Sequence, residues 1–422
     1  MKYRIDIAKT LFYLVTITTV TGVIFVFGLY SGAQKTTIYE AAHKLKTTVT
    51  HALHTTSEET GTLTRIHPKH FLQPARYAGN GVTVNMAADD DSLILLSGFF
   101  EDDNGLRLIH RDGTVLARWR VRFSEIFTER THSRPATDWN VDIHGALILP
   151  DGSVVFNLEY YGLVKLDRCG EIVWSLSEKA HHSIERAEGG GFWVPGAIYF
   201  PKKRHSQFPP FKTPFRADTI MKVSEDGKVL TEIMVPQLFY DNHLETLLTS
   251  TGEPITANYT WDNEILHLNK IGELTSDIAD DFPMFEAGDL VLSMRQYNLV
   301  MVVDPETRKV RWWKIGPWIR QHDPEFKPGG TIVVFNNNIY RTAFGTGPEI
   351  SSPELERISN IVEIDPVSNE HSIIYGSRDG QEMLSVIRGK HELTPGGGLL
   401  ITVFEGGRAF ETDSTGRVIW EY

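Results

Sequence analysis

Five histidines recur at one position of a repeated segment: His144, His182, His243, His322 and His391. Each leads to a turn and then to a strongly apolar strand. His144 is followed six residues on by Pro150-Asp151-Gly152 and then Val154-Val155-Phe156. His182 leads in the same way to Glu188-Gly189-Gly190 and Phe192-Trp193-Val194, and His243 leads to Thr249 and a turn ending at Gly252. His322 leads to Pro328-Gly329-Gly330 and the run from Ile332 to Phe335. His391 reaches Pro395-Gly396-Gly397 two residues sooner, which keeps strand parity. A lone histidine on a strand is usually solvated or structural, but five at one repeat position point to a built site. Near pH 7 a neutral imidazole can act as nucleophile, general base or metal ligand.

Arginines follow the same plan. Arg341 comes 19 residues after His322 and Arg408 comes 17 after His391, so each returns toward the end of the fold from which its histidine starts. Arg295 and Arg388 fall in neighbouring first strands or loops. Guanidinium groups beside imidazoles make a pocket suited to an oxyanion. Asn336 opens the run Asn336-Asn337-Asn338, which reads first as a turn and second as a source of neutral donors. His181 beside His182 completes the candidate binding set. On a strand these two would point to opposite faces, and the repeats hold no close His-x-His or His-x₃-His pair; neither a metal nor a cofactor is expected.

The elements that position these residues are strands. From about residue 81 onward short β-rich runs alternate with turns, with no convincing long amphipathic helix. Two further turns fit the plan without a histidine: Gly288-Asp289 places Phe282 at the equivalent position, and Asp89-Asp90-Asp91 places it near Val84. The starts are then 84, 144, 182, 243, 282, 322 and 391, and three of the six intervals are 38 to 40 residues, the length of a four-stranded blade. The longer intervals carry insertions at 123–138, 200–217 and 338–357. Each repeat ends on a second hairpin of Asp/Gly type, such as Asp167-Arg168-Cys169-Gly170 with Trp174 or Asp413-Ser414-Thr415-Gly416 with Trp420. The expectation is an all-β fold, a β-propeller of four-stranded blades, counted as seven units and six if one is atypical. The first strand of each blade would line a central channel, with the histidines around one mouth.

Ahead of the propeller, Lys2, Arg4 and Lys9 precede an uncharged run from Thr10 to Tyr30, 21 residues long. That is enough to cross about 30 Å of hydrocarbon, and no clean small-x-small cleavage site follows. The expected organisation is a transmembrane signal anchor at 1–31, a helical stalk at 32–62 and the propeller at 63–422. Basic residues before the span place the N-terminus in the cytoplasm and the propeller outside. In a bacterium this is a single-pass inner-membrane protein with a periplasmic domain. On the stalk, Ile38, Ala42, Leu45, Val49 and Ala52 form a two-heptad apolar seam that packs on its own chain or on a second stalk as a weak homo-oligomer. The net charge of −12, with no long basic run, argues against nucleic acid as a partner. The single Cys169 excludes an intrachain disulfide.

Arg320-Gln321-His322-Asp323, Pro328-Gly329-Gly330, Val334-Phe335-Asn336-Asn337 and Arg341, in that order, resemble the bacterial arylsulfotransferase family. The stretch from Pro395 through Gly407-Arg408-Ala409-Phe410-Glu411 to Trp420-Glu421-Tyr422 is similar to that family's closing blade, and the likeness spans roughly residues 80 to 422. The resemblance implies sulfuryl transfer from a small aryl sulfate to a phenolic acceptor without a soluble nucleotide donor. The route is ping-pong, through a covalent sulfohistidine. It implies His322 and Arg341 as binding and stabilising groups, His391 as nucleophile by its later blade and nearby Arg408, and His182 as acid and base. His144, His181, His243, Asn336 and Arg408 then bind substrate. The N-terminal β-sandwich of characterised members has no room here. Two other readings compete: a membrane-tethered propeller scaffold for a protein partner, which leaves the histidines unexplained, and a metal centre built from converging histidines.

Overall fold

The computed structural model describes residues 6–34, 36–39, 41–42, 45–46, 49, 76–77, 79–87, 90–100, 103–127, 138, 141, 143–177, 180–201, 207–209, 211, 213, 215–249, 265–339 and 359–422. The chain divides into two compact units, Met1–Pro68 and Lys69–Tyr422.

The first unit contains α1 (Ile7–Gln34), whose 28 residues span about 42 Å at about 1.5 Å per residue. It is long and apolar enough to cross a membrane, and its side chains are exposed along nearly its whole length. Residues 37–39, 41–42 and 45–46, on the expected stalk, are helical.

The second unit is a β-propeller of six antiparallel sheets. A short strand, β1 (Val84–Asn85), precedes the first blade. Blade 1 is β2 (Ile94–Phe100), β3 (Asp103–Ile109) and β4 (Val115–Arg120). Blade 2 is β5 (Ile143–Ile148), β6 (Val154–Leu158), β7 (Gly162–Leu166) and β8 (Ile172–Leu176). Blade 3 is β9 (Glu185–Arg186), β10 (Phe192–Phe200), β11 (Phe215–Val223) and β12 (Val229–Met234). Blade 4 is β13 (Leu268–Glu273), β14 (Leu290–Met294), β15 (Leu299–Val303) and β16 (Val310–Ile315). Blade 5 is β17 (His322–Lys327), β18 (Thr331–Asn336), β19 (Asn360–Ile364) and β20 (His371–Tyr375). Blade 6 is β21 (Lys390–Leu393), β22 (Leu399–Val403), β23 (Arg408–Thr412) and β24 (Val418–Glu421), with β1 added outside β24.

Burial follows radial position. The middle strands are covered on both faces by neighbouring blades, so β6, β14 and β15 are buried at every residue; β15 is apolar throughout, and β6 and β14 are apolar but for Asn157 and Ser293. The outer strands alternate or lie open, as β4 and β8 do.

The count of seven becomes six because three expected starts move. Val84 lies on β1, the outer edge of blade 6, and blade 1 begins at Ile94. His243 lies on an exposed turn after the helix α2 (Val235–Asp241), outside the blades. Phe282 is buried in the connection between β13 and β14, which holds a 3₁₀ turn at Ala279–Asp281. That connection displaces the turn by which the blade start was placed, and the true start is His267-Leu268.

Two ladders of side-chain hydrogen bonds join the blades. At the rim, the indole of Trp119 in blade 1 donates to Asp167 O in blade 2, at 2.9 Å, and Trp174 in blade 2 donates to Glu225 O in blade 3, at 3.0 Å. Trp420 in blade 6 donates to Arg111 O in blade 1, at 2.8 Å, which closes the ring. Near the axis, amides of one blade hold the chain as it approaches the next. Asn104 donates to Val141 O, Asn157 to His182 O at 2.7 Å, and Asn269 to Gln321 O at 2.8 Å. Asn337 donates to Ser385 O and Arg388 O at 2.8 and 2.5 Å. This inner ladder fixes the backbone that carries the histidines.

Candidate functional site

The N-terminal ends of the first strands bring five imidazoles together. His144 is the second residue of β5, His181 and His182 precede β9, His267 precedes β13, and His322 opens β17. The rings of His144 and His182 lie 4.1 Å apart, those of His182 and His267 4.6 Å, and those of His181 and His182 4.9 Å. His182 and His267 both adopt positive φ, +56° and +59°, a backbone cost that side chains other than glycine carry when the surroundings impose it. Because His182 leaves the extended conformation, it and His181 both reach the cluster rather than opposite faces of a strand. Their Nδ1 atoms lie 2.7 Å apart.

Hydrogen bonds fix the tautomers. His181 Nε2 lies 3.1 Å from Gly196 O, a pure acceptor, so that nitrogen carries the proton. His181 Nδ1 then accepts from His182 Nδ1–H, and His182 Nε2 is left with a lone pair. His322 Nδ1 lies 2.7 Å from Asn337 Oδ1. The amide of Asn337 cannot turn, because its nitrogen donates to Ser385 O and Arg388 O. His322 Nδ1 is therefore the donor, and its buried Nε2, which has no hydrogen-bond partner among the described residues, holds a lone pair.

Burial strips water from these rings and keeps them neutral. It holds His144, His182 and His267 well below the ordinary imidazole value, with the charge of Arg388 adding to the effect at His144 and that of Arg295 at His267. His181 and His322 are lowered to about 3, chiefly by burial, with Arg295 adding to the effect at His322. Asp218, fully buried 3.6 Å from His181 Nε2, is pushed up to about 7 by the same loss of water. Glu159, in the turn after β6, lies 3.9 Å from His144 Nδ1 through one oxygen and 3.6 Å from Arg388 through the other.

One step along the strands the character changes. Lys270 of β13, buried, lies 3.1 Å from both Glu185 and Asp323 and 3.6 Å from Glu325. Burial alone would lower Lys270, but Asp323, Glu185 and Glu325 more than reverse that and hold it well above the usual lysine value. Burial raises Glu325 to about 8. His391 belongs to this tier: its backbone N–H donates to Asp323 Oδ2 at 2.8 Å, and its Nδ1 is 3.5 Å from the same oxygen. Burial lowers it to about 4 against the opposing field of Asp323.

Of the residues singled out in the sequence, His144, His181, His182 and His322 converge, with His391 one tier deeper. His243 is exposed and does not join them, since it begins no blade. Arg408 is occupied by Glu421 at 2.8 Å and by the Phe410 ring at 3.8 Å, inside blade 6. Asn336 accepts from Ile319 N and donates to Asn360, a structural role. Arg341 lies outside the described residues. The structure adds His267 and Glu159, and it brings in Arg388 and Asn337, which the sequence offered as an oxyanion arginine and as part of an asparagine run. His267 directly precedes the apolar start of β13, a signal that the long connection after that strand masks.

A family model described as Arylsulfotransferase (ASST) matches residues 145–422, blades 2 to 6. No curated protein matches the chain. Among solved structures, virginiamycin B lyase from Staphylococcus aureus is similar at 13% identity and a TM-score of 0.41, covering 84% of this chain and 85% of that one. The Pan2 WD40 domain of Neurospora crassa is similar at 11% identity and 0.40, covering 82% and 80%. Hydrazine synthase of Kuenenia stuttgartiensis is similar at 11% identity and 0.42, covering 82% and 80%. Likenesses this distant say nothing of the chemistry of the site.

Proposed function

The chain belongs to the arylsulfotransferase family, and from that premise we propose that it transfers a sulfuryl group from an aryl sulfate to a phenolic acceptor through a covalent sulfohistidine at the channel mouth. The observation that carries this reading is the His322–Asn337 pair, 2.7 Å long and backed by two backbone carbonyls. It presents the Nε2 lone pair of a neutral imidazole in a dry site, where a nucleophile needs no prior deprotonation.

In the first half-reaction His322 Nε2 bonds to sulfur, the sulfur–oxygen ester bond breaks, and the phenolate leaves with the electron pair. Arg388, with Arg341 as the family resemblance implies, offsets charge on the sulfuryl oxygens. The leaving oxygen falls toward the wall of His144 and His182. In the second half-reaction an acceptor phenol loses its proton at that wall, and its oxygen takes the sulfuryl group from His322. His391 is the other nucleophile that family position implies. The fixed tautomer favours His322, while the single ring of His391 is set beside Asp323.

The test is intact mass of the protein after brief exposure to nitrophenyl sulfate without acceptor. One added sulfuryl group, lost on adding phenol and mapped to the His322 peptide, is the expected result. A label on His391 keeps the reaction and exchanges the roles. A folded protein that takes no label overturns the reading.

A further inference from the structure

We propose that His144, His182 and Glu159 together hold a divalent transition-metal ion at the channel mouth, zinc by the character of the donors. One ligand atom from each of the three lies within 4.8 Å of the others, with His144 Nδ1 and Glu159 Oε1 at 3.9 Å. Ligands of a tetrahedral ion with bonds of about 2.1 Å stand about 3.4 Å apart, so the three close on an ion by movements of about an ångström or less. They come from three separate elements: β5, the turn after β6 and the approach to β9.

The support around them is what a metal site requires. A ligating imidazole needs its second nitrogen tied to a fixed partner, so that the first presents a lone pair in a set direction. The chain from Gly196 O through His181 to His182 does this, and leaves Nε2 of His182 unprotonated. Asn157 and the strained φ of +56° hold the backbone of His182 from the other side. Arg388, 3.6 Å from the second oxygen of Glu159, orients the carboxylate as an outer-shell partner. Two imidazoles and one carboxylate are the donor set of catalytic zinc, with a fourth position open. The excess positive charge of an ion beside Arg388 suits an anionic sulfate ester. In that use the ion would hold the phenolate oxygen in both half-reactions, the acceptor entering as phenolate because His144 and His182, as ligands, no longer take its proton. This part of the inference rests on the sulfuryl-transfer reading, whereas binding of the ion does not.

The experiment takes the full chain in detergent, strips it with a chelator and titrates it with Zn²⁺, and with Co²⁺ as an optical probe. The expected result is about one ion per chain and a visible Co²⁺ spectrum of four-coordinate type. His144→Ala and the near-isosteric Glu159→Gln are expected to weaken binding by roughly tenfold or more. His371→Ala, at an exposed position of β20, is expected to leave it unchanged. Binding well below one ion per chain in the wild type overturns the proposal. So does affinity unchanged in folded Glu159→Gln, which would mark the ion as adventitious. Intact mass on the same stripped and loaded samples separates the two readings. Metal without a sulfuryl adduct keeps this inference and removes the transfer reaction; an adduct without metal does the reverse.

Discussion

An imidazole whose one nitrogen donates to a fixed acceptor can offer only a lone pair at the other, and His322 is in that position. Asn337 acts here as a positioning residue. Replacing it with alanine frees the ring to adopt either tautomer, and kcat should fall about a hundredfold with KM little changed, as measured in steady-state transfer assays. The charge state gives a second prediction. The reactive form is neutral, and burial lowers His322 to about 3. Lowering the pH from 8 to 5 therefore leaves this group unprotonated, and kcat/KM should show no acid limb near 6.5 in assays shorter than unfolding. A limb there would mean that an ordinary, solvated imidazole is the nucleophile. At this scale the sequence was informative where a histidine leads a strand with a turn six residues beyond, as at His144, His182 and His322. Arg388 and the asparagine run holding Asn337 were legible only as neighbours of the rings, and Glu159 comes from a turn whose position has no period, so no spacing could have joined it to them.

Elements hold these rings by close backbone approach. A Cβ on Gly145 of β5 would stand 2.3 Å from His182 O and 3.0 Å from Ile184 N. Gly145 N–H also donates to Asn157, whose amide nitrogen holds His182 O. Gly145→Ala must therefore push the approach to β9 away from blade 2 and carry His182 with it. A loss of about 1–3 kcal/mol in stability is expected, with a larger proportional loss of transfer rate. Gly98→Ala on β2, where nothing lies within 4 Å, serves as the control and should leave both unchanged. Equal behaviour of the two variants in thermal unfolding and activity would remove the clamp from the account. The strands themselves were legible, because middle strands covered on both faces must be predominantly apolar. The blade count was not. Its ruler was the distance from histidine to turn, and the β13–β14 connection and the segment around α2 each stretch that distance without adding a blade.

For the whole molecule, a cluster of neutral buried imidazoles couples stability to acidity. Six histidines, His144, His181, His182, His267, His322 and His391, are lowered in the folded state. As the pH falls below about 6.5 the unfolded chain takes up protons that the folded one refuses, so these groups remove stability on acidification. Asp218 and Glu325, raised to about 7 and about 8, act in the opposite sense between about pH 4 and 7, since they hold protons only when folded. Burial also raises Asp289 and Glu405, and six against four still leaves acid as the destabilising direction, at about 1.4 kcal/mol per pH unit for each uncompensated proton. Calorimetry should find the propeller's melting temperature falling steadily from pH 7 to 5. A flat or rising trend would mean that the rings are not neutral in the folded protein. The propeller architecture was readable from the repeat alone, but the way the ring closes was not, because a two-residue strand carries no pattern. That closure has a consequence in time. Thr83 meets Glu421 across 338 residues of chain, and the entropy of joining ends so far apart is about 5 kcal/mol. Within each of the six blades, by contrast, successive strands pair with their sequence neighbours. Blades can therefore assemble one after another while the circle is still open. Until β24 is in place, β1 waits without a partner, and the β1 of a second chain can compete for the same edge.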